Sequence, residues 1–245
     1  MKTKRNLVNG YSLVELLVAT VLFTIVAGTV FSLLFSAQLR YRGDSNVTTA
    51  FQQANVAIDQ ITRDVHSAGY PPPSSLAAIV VQSDSQYPKR MALPFSWSPG
   101  YTNSPQTPCT IGITCGAVPG DYDLILETDF VDGNGVQWIR YSLQGTTLMR
   151  GMTRKVAWAD PVTSTSLSSG VLLPYLDNVM NKTQSVPVPI FSYGYDKANP
   201  PVSPQPSDIR EVNVVLMVQS AQADPQTGQF RTITLTGQAA RFNLN

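Results

Sequence analysis

The sequence has little with which to do chemistry. Its 245 residues include one histidine, His66, and two cysteines, Cys109 and Cys115. A catalytic base needs a nucleophile or a substrate proton within reach, and no Gly-x-Ser-x-Gly or comparable motif accompanies the lone histidine. A glycine-rich phosphate loop is missing as well. Two thiols without a neighbouring histidine fall short of the four ligands a structural zinc takes. Asp129, Asp132 and Asn134 cluster near Gly133 and Gly135, but they lack the alternating acids and distal glutamate of a calcium loop and read as a solvated hairpin tip. The tryptophans Trp97, Trp138 and Trp158 read as core and interface aromatics rather than a carbohydrate platform. No internal repeat is present. These absences predict no enzyme, no cofactor and no metal site.

Charge of either sign is also scarce. There are 17 Lys and Arg and 16 Asp and Glu, a formal net charge of +1. No basic stripe exists to attract nucleic acid, whose capture depends on clustered positive charge. The scarcity is extreme in one place: from Leu16 to Leu39 there is no charged residue at all. A membrane-spanning helix needs roughly 20 mostly apolar residues, and residues 16–35 supply them. Thr20, Thr24, Thr29, Ser32 and Ser36 interrupt the run, and such hydroxyls bond back to their own helix. Lys2, Lys4 and Arg5 precede it, and Arg40 and Arg42 follow it. A basic N-terminal flank predicts a cytoplasmic N-terminus and a translocated remainder.

One acid, Glu15, stands at the start of this span, where a carboxylate is costly and needs a reason. A secretory signal would place a small-residue cleavage site after its apolar run. Here the small-residue boundary, Gly10, lies before it. A plain anchor needs neither Gly10 nor an acid five residues later.

The stretch Gly10-Tyr11-Ser12-Leu13-Val14-Glu15-Leu16-Leu17-Val18, behind a short basic leader, resembles the class III signal of type IV prepilins and type II secretion pseudopilins. The resemblance implies cleavage by a prepilin peptidase between Gly10 and Tyr11 and methylation of the new N-terminal Tyr11, a position where the family more often has phenylalanine. It also implies that Glu15 docks subunits, pairing with the free amine of a neighbour inside a filament. Buried ion pairs of this kind set alignment more than they add net stability. The competing reading of Glu15 is an acid resting at headgroup level. The leader holds three of the 17 basic residues, so its loss leaves 14 against 16 acids.

The helix does not stop at the membrane. Beyond Arg42 the apolar positions are Val47, Ala50 or Phe51, Ala54, Ile58, Ile61 and Val65. From Phe51 they follow one another by three or four residues, one stripe of a helix, with Gln52, Gln53, Asn55, Asp59, Gln60, Arg63 and Asp64 largely off it. Gly69 and the run Pro71-Pro72-Pro73 stop it. A helix over about 12–66 would be roughly 80 Å long. Gly43 reads as a tolerated surface glycine.

The remainder is rich in turn residues and short strand-like runs: 76–82, 123–128, 136–143, 147–150, 190–195, 210–220 and 229–236. Residues 133–135 and 224–228 read as hairpin connections. The expected fold class is α+β: a type IV pilin fold with a long N-terminal helix, half transmembrane and half amphipathic, packed on an antiparallel β-sheet head. Its organisation would be a leader over 1–10, a spine helix over 11–68 that spans the membrane at about 15–36, and a head over 69–245. A head outside the cytoplasm permits a disulfide between Cys109 and Cys115.

Within the head, Gly120 to Leu126, Trp138 to Leu143 and Leu148 to Gly151 resemble, in order, the heads of PilW-type minor pilins and J-type pseudopilins. The resemblance implies a non-enzymatic subunit held in the bacterial inner membrane with its head in the periplasm, then assembled into a pilus. Implied partners are the prepilin peptidase, other minor and major pilins, and the inner membrane. A J-type minor pseudopilin of a type II secretion system is the nearest alternative. A membrane-anchored binding protein or enzyme that never polymerises is the alternative of another class.

Overall fold

The computed structural model describes residues 12–70, 94–98, 109–116, 120–130, 135–156, 160–162 and 172–242. One helix dominates it. Helix α1 runs Leu13–Ser67, 55 residues without a proline. The amphipathic stripe is its second half: Ala50, Ala54, Ala57, Ile58, Ile61 and Val65 are buried, with Ala50 and not the exposed Phe51 on the buried face, while the large apolar side chains of the first half, such as Leu17, Phe23 and Phe31, are exposed. The first half is long and apolar enough to cross a membrane. Hydroxyls of Thr20, Thr24 and Thr29 donate to the carbonyls of Leu17, Val21 and Val26 at 2.7–2.8 Å, so these three do not face lipid unbonded.

Two antiparallel sheets form the head. β1 (Asp123–Thr128), β2 (Gln137–Gln144), β3 (Thr147–Arg154) and β4 (Leu173–Leu176) make the first, in that order. β5 (Phe191–Gly194), β6 (Glu211–Gln219) and β7 (Thr232–Ala240) make the second. The sequence predicts one sheet. The division arises at residues 178–180, where Asn178 takes a left-handed φ of 59°. The chain leaves β4 there, and Val179 N–H donates to Thr146 O while Met180 N–H donates to Met217 O. Strand β4 is not foreseen as a strand. It has four residues and contains Pro174, which suits only an edge position. The expected strand over 76–82 lies outside the described residues, as do residues 131–134 of the β1–β2 connection. β1 and β2 nevertheless pair antiparallel as a hairpin requires.

Helix and sheets share one core. Ile58, Ile61 and Val65 meet Leu124, Leu126, Ile139, Tyr141, Leu216 and Val218 in a single buried cluster. Alternation in β6 sends Val212, Val214, Leu216 and Val218 inward. β7 lies directly on α1, and a Cβ on Gly237 would sit 2.5 Å from Cγ2 of Ile58. Only glycine permits that approach without moving the strand.

Gly43 is buried rather than on the surface. The tip of the β6–β7 hairpin folds against it, and a Cβ there would lie 3.6 Å from Asp224 Cγ and 3.7 Å from Pro225. Asp224 accepts from Gln226 N–H and from Arg231, which in that order hold its carboxyl below the usual range. Arg231 also reaches Asp44 at 3.6 Å.

Cys109 and Cys115 are joined in a disulfide, with Cα atoms 4.8 Å apart. The loop between them is tied to the head by Ile111 N–H donating to Pro204 O at 2.7 Å. Closing so short a loop restricts the unfolded chain modestly. Replacing both cysteines with serine is expected to cost about 2 kcal/mol, read as a lower urea midpoint of the full chain in detergent. An unchanged midpoint would show that the bridge contributes nothing to stability.

Candidate functional site

The N-terminal end of α1 is the candidate site, and its local geometry follows from four residues. Ser12 is the N-cap, in extended backbone, and Glu15 is the third helical residue. Ser12 Oγ accepts from Glu15 N–H at 3.2 Å, and Glu15 Oε2 accepts from Ser12 N–H at 3.0 Å. This reciprocal pair is a capping box: each side chain satisfies a backbone donor that the helix end leaves without a partner. The carboxylate also faces the positive end of the helix dipole. Glu15 therefore has a place in the isolated subunit, where it finishes its own helix.

The sequence reading singled out Glu15 and missed Ser12. The signal was present: a serine followed three residues later by an acid, directly before an apolar run. Leu16, Ala19, Thr20 and Phe23 continue from Glu15 along one helix face and line a shallow apolar groove with it. Two of these, Ala19 and Thr20, are small, and small residues let a second backbone approach closely in lipid. Gly10 and Tyr11, the expected cleavage and methylation positions, lie outside the described residues.

Two buried ionic clusters hold the head to the helix and to itself, and neither is foreseen from the sequence. Asp64 was expected off the apolar stripe, yet it is only 2 % exposed. It accepts from Tyr141 Oη at 2.6 Å, Arg150 Nη2 at 2.9 Å and Gln60 Nε2 at 2.8 Å. Burial, reinforced by the Asp64 carboxylate, pushes the Tyr141 phenol far above its ordinary range, so it stays a donor. The second cluster centres on Glu127, which accepts from Lys155 Nζ at 2.5 Å, from Trp138 Nε1 at 2.9 Å and from Ser96 Oγ. Glu127 and Lys155 are 2 % and 4 % exposed.

In both clusters the acid accepts from several donors of the fold, which gives it a structural role. His66, in the last turn of α1, packs its ring against Phe242 with centroids 4.4 Å apart. Among the described residues no three His, Cys, Asp or Glu side chains are grouped to hold a metal.

A family model described as the prokaryotic N-terminal methylation motif matches residues 5–31. That segment holds Gly10, Tyr11, the Ser12–Glu15 cap and most of the apolar half of α1. The motif is the type IV pilin and pseudopilin signal, and it supports a pilin-like protein that a prepilin peptidase processes and that its N-terminal helix anchors in a membrane. The fold agrees, since a long N-terminal apolar helix packed against antiparallel sheets is the type IV pilin arrangement. No curated protein and no solved structure matches the chain.

Proposed function

We propose that the chain is a PilW-type minor pilin. α1 inserts it in the inner membrane with the head in the periplasm. A prepilin peptidase cuts between Gly10 and Tyr11 and methylates Tyr11, and the subunit then joins a type IV pilus in the complex that primes assembly at the tip. The observation that carries this reading is the continuity of the motif with the fold: the methylation motif over 5–31 runs without a break into a helix whose far half completes the core of the head. A mere anchor has no need to be part of that core. In the filament Glu15 exchanges its own Ser12 N–H for the amine of a neighbour's first residue, and the apolar half of α1 exchanges lipid for other helices. The resemblance of the segments from Gly120 to Gly151 to PilW-type heads supports the minor-pilin assignment.

Processing is the direct test. Mass spectrometry of membrane protein from cells with an active prepilin peptidase should find Tyr11 at the N-terminus, carrying one methyl group. An intact Met1 end would overturn the pilin reading and leave a non-polymerising anchored protein. The J-type pseudopilin differs only in partners. Co-purification of the full-length tagged subunit with minor pilins supports the proposal, and co-purification with secretion pseudopilins instead would replace it.

A further inference from the structure

We infer that the β6–β7 hairpin tip is a membrane-contact surface, seating the head on the outer headgroup layer of the bilayer while the subunit is stored there. The inference rests on the membrane-anchored reading of α1 and adds a second point of contact to it.

Height along the helix carries the argument. The uncharged run from Leu16 to Leu39 is about 36 Å long. A tilted helix fits all of it within a hydrocarbon core of roughly 30 Å, so Leu39 rather than residue 36 marks the hydrocarbon edge. Gly43, the first buried residue of α1, lies about 6 Å beyond it along the helix. The headgroup layer on each face of a bilayer is roughly 5–8 Å deep. The hairpin tip is fixed at that height by Asp224 and Pro225 against Gly43 and by Arg231 beside Asp44. β7 then climbs away from the membrane beside α1, passing Ile58 at Gly237 and His66 at Phe242.

What the tip and the adjoining turn of α1 together present at this level fits lipid headgroups. Phe230 is 53 % exposed and Tyr41 is 76 % exposed, and aromatic side chains collect at membrane interfaces. Arg40 and Arg42 of α1 are exposed, placing two guanidinium groups where lipid phosphates lie, and Arg231 beside them is half-exposed and held by Asp44 and Asp224. The turn itself, Gln226-Thr227-Gly228-Gln229, carries no charge. The opposing acids at this rim are Asp44 and Asp224, and both are paired to Arg231.

The test uses the full chain in vesicles of phosphatidylethanolamine and phosphatidylglycerol. A nitroxide is placed by Phe230→Cys, with Phe23→Cys and Val202→Cys as references; Cys109 and Cys115 are bonded to each other and take no label. Phe23 lies in the apolar half of α1, and Val202 is fully exposed near the segment that Arg241 bonds at Ser207, the far end of the head. The ratio of collisions with oxygen, which partitions into lipid, to collisions with a water-soluble nickel chelate should be several-fold higher at 230 than at 202. If 23 reports lipid while 230 matches 202, the inference falls and the anchor stands. This holds even if 230 becomes immobilised in filaments, which would make it a contact between subunits. If 23 itself reports water, the anchored reading falls and this inference with it.

Discussion

Replacing Lys155 with methionine is expected to lower the unfolding free energy by about 3–5 kcal/mol. The size of the effect comes from what stays behind rather than from what is removed. Lys155 supplies the positive charge against Glu127 inside the first sheet, where both side chains are almost fully covered. Methionine fills the same volume and removes the charge. Trp138 and Ser96 still donate to the carboxylate, but neutral donors do not replace a counter-ion in a poorly polarisable interior. Adding Glu127→Gln removes the stranded charge and keeps an acceptor for the indole N–H, so the double variant should regain much of the loss. Urea unfolding of the full chain in detergent, followed by tryptophan fluorescence, reads both. Equal midpoints for the single and double variants would show that the pair is not electrostatically coupled.

The second large effect is on assembly. Glu15→Val should leave membrane insertion intact, because valine suits the span better than a carboxylate does. Incorporation into filaments should fall on the order of a hundredfold, the equivalent of about 3 kcal/mol for a buried amine without its partner. Ser12→Ala supplies the comparison, since it removes half of the capping box and keeps the acid. A cap costs about 1 kcal/mol, so this variant should lose little incorporation. Insertion is read by carbonate extraction of membranes, and incorporation by the fraction of subunit recovered in sheared filaments. Normal incorporation of Glu15→Val would remove the docking role and leave Glu15 as a helix cap alone.

Much of this molecule is legible in its sequence, and the parts that are not share a cause. Helix α1 is readable to within a residue at each end because its determinants are local: the apolar run, the three-four stripe and the Gly69 stop. β1 and β6 are readable because composition and alternation are local as well. Asp64 reads as off the apolar stripe, and nothing in the sequence singles out Glu127 or Lys155, because charged residues are mostly exposed. Their partners are remote in sequence: Tyr141 lies 77 residues from Asp64 and Lys155 lies 28 from Glu127. Gly43 is misjudged for the same reason, since the hairpin that buries it comes some 180 residues later. β4 is lost in the sequence because its proline argues against a strand, while its place at the sheet edge removes the objection. At the candidate site, Glu15 stands out through the cost of an acid beside lipid. Its cap partner is as local as any motif and needed only the capping pattern to be found.

An unbroken α1 also acts as a shaft with a fixed phase. Each residue turns a helix by about 100° and advances it by 1.5 Å, and α1 contains no proline or π-bulge to absorb torsion between Glu15 and Ile58. The azimuth of Glu15 is thereby locked to the azimuth of the head through Gly43, Ala50 and Ala54. One residue gained or lost in the stretch 40–42 would leave both ends locally intact and rotate one against the other by more than a quarter-turn. Whatever face the head shows to its surroundings is set, 28 residues away, by the direction in which a single carboxylate points.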